Sequence, residues 1–263
     1  MSLALLFFAC ADDDSAASRL TLTGSSTVAP LASELARRFE DRRPGARIDV
    51  QTGGSSRGVS DAASGTADIG MASRARKDAD PEGLVFTTIA LDGIALIVHA
   101  ENPVASLSRD QVVSVYTGGT VNWSSLGGSD LPISVINKAE GRSTLELFCQ
   151  FFALETTAIK ASVVIGDNAQ GIKTVAANPG AIGYVSVGAA EFERDQGAPI
   201  KLLPLDGVEA SVANVKNGSF ALSRPLNLVT RGEPEGLAAE FIAFARAEAQ
   251  HDLVDGQFFV PVE

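Results

Sequence analysis

Cysteine is nearly absent: the chain has two in 263 residues, Cys10 and Cys149. Cys10 belongs to an apolar leader-like stretch. Once that stretch is removed, no partner is left for a disulfide within the mature chain, and Cys149, on the apolar face of 145–152, reads as a small core residue and not a reactive thiol. Histidine is equally scarce. His99 and His251 stand apart from any Cys, Asp or Glu grouping with metal-ligand spacing, so no metal site is expected. The patterns G-x-x-x-x-G-K-[ST] and G-x-G-x-x-G do not occur, and nothing in the sequence would activate water or a nucleophile. An enzyme is therefore not expected, and no cofactor is implied. Basic residues are outnumbered: 21 Lys and Arg against 32 Asp and Glu give a net charge of -11. That balance argues against nucleic acid or an anionic membrane surface as the main partner. The apolar start at 1–10 is too short to cross a bilayer.

What is present is an ordinary globular mixture, 45% hydrophobic and 20% charged, enough for two modest lobes. Residues 1–10 read as the apolar core of an export signal. Ala9-Cys10, followed by Ala11 and three aspartates, is similar to a bacterial lipoprotein cleavage site with Cys10 as the lipidated N-terminus. Residues 11–18 then form a short polar tether. From Leu20 onward strands and helices alternate, which predicts α/β architecture with a parallel sheet and helices on its faces.

Small-residue turns recur where a strand ends and a helix begins. The first is Gly24-Ser25-Ser26-Thr27, before a helix with Val28, Leu31, Leu35 and Phe39 on one face. The second is Gly54-Ser55-Ser56-Arg57-Gly58, and the third is Lys138-Ala139-Glu140-Gly141-Arg142-Ser143-Thr144. Ser73-Arg74 ends the strand 67–72. The first N–H groups of a helix lack internal partners and sit at the positive end of its dipole, so such turns suit an oxyanion. A serine at a helix start is also an ordinary N-cap, and Asn168 and Gln170 can be read the same way. In an open parallel sheet these turns fall at the carboxyl edge, where ligands bind. A global charge of -11 repels anions, so capture must rest on local donors and a few placed cations.

The same stretches, with Ala67–Arg74, Pro179–Val185 and Leu222-Ser223-Arg224-Pro225-Leu226, carry a family resemblance. The chain resembles the phosphate-binding receptors of bacterial phosphate ABC importers, members of the periplasmic substrate-binding protein family, over essentially its whole mature length. The resemblance implies a two-lobe fold with two crossover strands: residues 19–93 and 226–263 in one lobe, 94–225 in the other, with hinges near 92–95 and 223–227. It implies inorganic phosphate held between the lobes by Ser26, Thr27, Ser55, Ser73, Arg74, Arg142, Ser143 and Thr144. Ser25, Arg57, Lys138 and Gly141 are further candidates. The implied partner is a membrane permease, and the implied chain is an exported monomer, periplasmic or lipid-anchored. Two positions depart from the family pattern. Ser73 stands where a carboxylate accepts the phosphate proton, with Arg74 next to it as a bidentate donor. Lys138 near Glu140 replaces an arginine paired with an aspartate, and Arg142 replaces a serine. Either Lys138 or Arg142 could then contact the anion, with Glu140 as internal counter-ion. A serine filters sulfate less strictly than a carboxylate, so receptors for sulfate or molybdate, and a phosphate-sensing role, are the alternative readings.

Overall fold

The alternating pattern of the first seventy residues produces three parallel strands, each followed by a turn at the same edge. A computed structural model describes residues 19–262; the segment 1–10 with Cys10 and the tether 11–18 lie outside the described residues. The elements in order are β1 (Arg19–Gly24), α1 (Ala29–Arg42), β2 (Arg47–Thr52), α2 (Ser55–Ser64), β3 (Ile69–Ala72), β4 (Leu84–His99), α3 (Arg109–Tyr116), β5 (Ser134–Lys138) and α4 (Ser143–Phe152). There follow β6 (Val163–Ile165), α5 (Asn168–Ala176), β7 (Ala181–Ser186), α6 (Val187–Asp195), β8 (Ile200–Leu203), α7 (Val212–Lys216), β9 (Ser223–Arg231), α8 (Gly236–Arg246), α9 (His251–Gly256) and β10 (Val260–Pro261).

The strands pair in the order β2-β1-β3-β9-β4-β7-β5-β6, with β8 and β10 also on β4. The long strand β4 links two halves. Leu84 to Gly93 lie antiparallel to β9, whereas Ile94 to Val98 pair with β7. Each half closes over its own core. One gathers Leu22, Leu31, Leu35, Met71 and Leu228, with Phe39 edge-on to Phe241 of the returning helix α8 at 5.5 Å. The other gathers Leu96, Val112, Trp123 and Phe148, with Phe148 stacked on Tyr184 at 4.0 Å. The spacing that predicts the first helix holds, since Val28, Leu31, Leu35 and Phe39 are all buried. The unbroken apolar run Ala181–Val185 is buried throughout, as a strand covered on both faces requires. Cys149 is buried in the second core, and burial pushes its thiol up from the ordinary value.

Sequence spacing predicts two strand segments around Leu91-Asp92-Gly93, and the structure makes one strand of 16 residues. Two compensations allow it. Asp92 faces Arg224 directly across the ladder, so its charge is paired inside the sheet. Gly93 leaves room for Val187 and Val215, whose methyl groups would lie 2.9 Å from an added Cβ. Leu222 belongs to the second core and Leu226 to the first, so β9 leaves the second half within its opening residues.

Candidate functional site

Parallel pairing of β1 with β2 and β3 brings the ends of these strands to one edge. There Gly24 takes φ 133°, and a Cβ on it would meet the Met71 carbonyl at 2.3 Å, so only glycine permits the close turn into Ser25. Ser25 Oγ accepts from the N–H groups of Thr27 and Val28 at 3.2 and 3.4 Å. Ser25 thus holds the turn that leads into α1, and the hydroxyls of its neighbours are left for the cleft. The starts of α2 and α4 carry no side-chain cap, and they meet across the cleft: Ser56 N–H donates to the Gly141 carbonyl at 3.3 Å.

Between these helix starts the hydroxyls form one cluster spanning both halves. Ser55 Oγ donates to Ser143 Oγ at 3.0 Å, Ser73 Oγ and Ser143 Oγ are 2.7 Å apart, and Ser25 Oγ donates to Ser73 Oγ at 2.9 Å. Arg224 supplies the cation in contact with this cluster. Its guanidinium donates to Thr144 Oγ1 at 2.9 Å, Thr27 Oγ1 at 3.2 Å and Ser73 Oγ at 3.4 Å. Its Nε and Nη2 hold Asp92 at 3.1 and 2.8 Å. Asp92 also accepts from Ser186 Oγ at 3.0 Å and Gly188 N–H at 3.3 Å, so the buried carboxylate is well satisfied.

The cavity these groups enclose is lined by Ser25, Ser26, Thr27, Gly54, Ser55, Ser73, Lys138, Arg142, Ser143, Thr144 and Gly166. No carboxylate is in its wall. Arg142 Nη1 is buried with no hydrogen-bond partner among the described residues. Lys138 is 3% exposed and its Nζ donates to Asn168 Oδ1 at 3.1 Å. Burial first, and the nearby Arg224 next, lower its ammonium to about 7. Asn168 does more than begin a helix. Asp167 caps α5 by accepting from Gln170 N–H, while Asn168 Nδ2 reaches across to Thr27 Oγ1 at 3.2 Å.

Three expectations are corrected. Arg74 does not face the cavity: its two Nη atoms hold Asp80 at 2.7 and 2.6 Å, because Lys77 N–H also orients that carboxylate at 2.8 Å. Arg57 is exposed and paired with Asp61 one helical turn on, at 3.2 Å, the ordinary fate of a cation on a solvated helix face. Glu140 is exposed and does not pair with Lys138, whose polar partner is Asn168. Gly141 turns the chain with φ 76° and offers its carbonyl to Ser56, so its part is to bring the two helix starts together.

Gly54 marks how closely the halves approach. A Cβ there would lie 2.6 Å from the Gly141 carbonyl and 3.1 Å from Arg142 Cδ, at φ 98°. Gly54→Ala is expected to hold the halves apart, which would appear in small-angle scattering as a larger radius of gyration with ligand than the wild type shows. An unchanged radius would refute it.

Residues 11–248 match the family model described as the PBP superfamily domain. The phosphate-binding protein PstS of Bacillus subtilis (strain 168) is 31% identical over 255 residues, which cover 95% of this chain and 83% of that protein. The chain belongs to the PstS family. A protein from Clostridium perfringens, described as a phosphate ABC transporter substrate-binding protein and solved with bound phosphate, superposes with a TM-score of 0.86 at 32% identity. That match covers 94% of this chain and all of the other, 100%. An ABC-type phosphate transport receptor from Vibrio cholerae gives a TM-score of 0.75 at 27% identity, covering 92% and 100%. The two halves joined by β4 and β9 are accordingly the two lobes of a periplasmic binding fold.

For this PstS-family chain, sequence reasoning missed Arg224, Asp92 and Asn168. A signal for the first two was present. Asp92 is the lone acid within the apolar run 84–99, and Arg224 is a lone cation beside the apolar segment 225–229. Opposite charges isolated in two buried strands point to each other, since neither could stay buried alone.

Proposed function

We propose that this chain captures inorganic phosphate between its lobes and delivers it to the permease of an ABC importer. The observation that carries the reading is the cavity wall, which is built from hydroxyls of both lobes and two positioned cations and contains no acid. Hydroxyl oxygens that now hydrogen-bond one another can turn their protons toward a guest, and Arg142 has a free donor to offer. Ser26, Thr27, Ser55 and Ser73 meet the anion from one lobe, and Arg142, Ser143 and Thr144 from the other. Lys138 and Arg224 complete the positive side, with Ser25 shaping the turn.

Capture proceeds by hinge bending where β4 and β9 pass between the cores, near 92–95 and 223–227. The lobes so divided are 19–93 with 226–263, and 94–225. Closure removes water and strengthens each donor contact. The role is carriage and not catalysis. The protein works outside the cytoplasm as a monomer, periplasmic or held to the membrane through a lipid on Cys10; no helix of the described residues is long and apolar enough to cross a membrane.

Calorimetric titration with phosphate, arsenate, sulfate and molybdate tests the reading. Phosphate should bind one to one and resist displacement by sulfate or molybdate. Equal competition by sulfate would move the assignment to a general receptor for tetrahedral oxyanions, a reading that the hydroxyl of Ser73 in place of a carboxylate favours. Thr27→Ala and Ser143→Ala should each weaken phosphate binding by about 1–3 kcal/mol, the cost of a lost hydrogen bond in a closed site. Full affinity in both would remove these hydroxyls from the contact set.

A further inference from the structure

Lys138 is the one amine in the wall of the cavity. The groups facing it are Arg224 from β9, Asp167 before α5, Arg142 before α4 and Tyr184 from β7. Asp167 accepts from Gln170 N–H at 2.8 Å as a helix cap, and Asp92, behind Arg224, is locked in its ion pair. Burial raises the Tyr184 hydroxyl far above its ordinary range.

Lys138 differs from all of these. Its side chain is buried, its Nζ has the Asn168 amide oxygen as its hydrogen-bond acceptor at 3.1 Å, and it lies within the field of two like charges, Arg224 and Arg142. Without a guest anion an ammonium there lacks a full counter-charge, because its acceptor is the neutral Asn168 amide, Asp92 is taken by Arg224 and Asp167 caps α5. A phosphate dianion entering the cavity reverses that balance at short range.

We propose that Lys138 takes up a proton as the anion enters, so that the cleft binds phosphate and a proton together. The proton comes from solvent and bonds to the Nζ lone pair. The neutral amine becomes an ammonium that donates to the phosphate, and no other bond changes. Burial, aided by Arg224, already holds this amine near a value of about 7, so the uptake falls in an accessible range. The sign follows directly. Above that value the free cleft has lost its Lys138 proton while the loaded cleft retains it, so raising pH weakens binding.

The inference rests on the phosphate reading, and the test separates the two. Phosphate affinity of the full chain is measured between about pH 8 and 9.5, where phosphate is a dianion throughout, and each pH unit should weaken binding about tenfold. Titrations at about pH 8.5 in buffers of different ionisation enthalpy should show close to one proton taken up per phosphate. Lys138→Arg, always charged, and Lys138→Met, never charged, should both lose the slope, whatever their absolute affinities. Wild-type binding that is flat with pH and releases or takes up no proton overturns the inference and leaves phosphate binding intact. A slope that survives in either variant overturns it too, because the proton then goes elsewhere. Absence of phosphate binding at every pH removes the functional reading itself.

Discussion

Arg224→Ala is expected to lower the stability of the chain by about 3–5 kcal/mol and to abolish phosphate binding, because removing one partner of a buried pair leaves the other charge uncompensated. The side chains of Arg224 and Asp92 are 1% and 0% exposed, so water cannot take over the lost contact. Asp92 would retain only Ser186 Oγ and the Gly188 N–H. The same guanidinium touches Thr27 and Ser73 from one lobe and Thr144 from the other, so its loss also removes the cation against which the hydroxyls are arranged. Urea unfolding reads the first effect and calorimetry the second. The double variant Arg224→Ala with Asp92→Asn should recover part of the stability, since no bare charge remains, and none of the binding. A loss below about 1 kcal/mol in the single variant would show that the pair contributes no more than a surface one.

Arg142→Ala should act on binding with little effect on folding. Its Nη1 is buried without a partner among the described residues, so the protein makes little use of that donor for its own stability. A charge-assisted contact in a closed cleft is worth about 2–5 kcal/mol when one partner is removed, which corresponds to a loss of affinity of roughly 30-fold to several thousand-fold. The unfolding midpoint should stay near that of the wild type. Retained affinity would assign the contact to Lys138, which lines the same cavity from the end of β5.

The two arginines show where reading the sequence succeeds and where it stops. Turns that end a strand and start a helix are local, so Ser25 to Thr27, Ser55 and Ser73 could be placed at one sheet edge from spacing alone; Ser143-Thr144 stand at a strand end of the other lobe, and all of them line one cavity. The period of α1 and the apolar run of β7 were likewise legible, because each is decided by a few neighbouring residues. Side-chain direction is not local. Arg74 follows Ser73 in the chain, yet it turns to Asp80, since a carboxylate six residues on, held by Lys77 N–H, outcompetes the cleft. Arg224 lies far from every small-residue turn, and it enters the cluster only because antiparallel pairing sets it opposite Asp92. Lys138 and Glu140 are two apart in sequence, yet one is buried and one exposed, because β5 ends at Lys138 and Glu140 lies in the turn beyond it.

The most direct measurement is a crystal structure of the full chain grown with phosphate. One tetrahedral anion should lie between the lobes, accepting from Thr27, Ser55, Ser143 and Thr144 hydroxyls and from Arg142, with Arg224 still bound to Asp92. Density for the anion on an outer surface, or between the lobes without contact to the serines of both, would contradict the account.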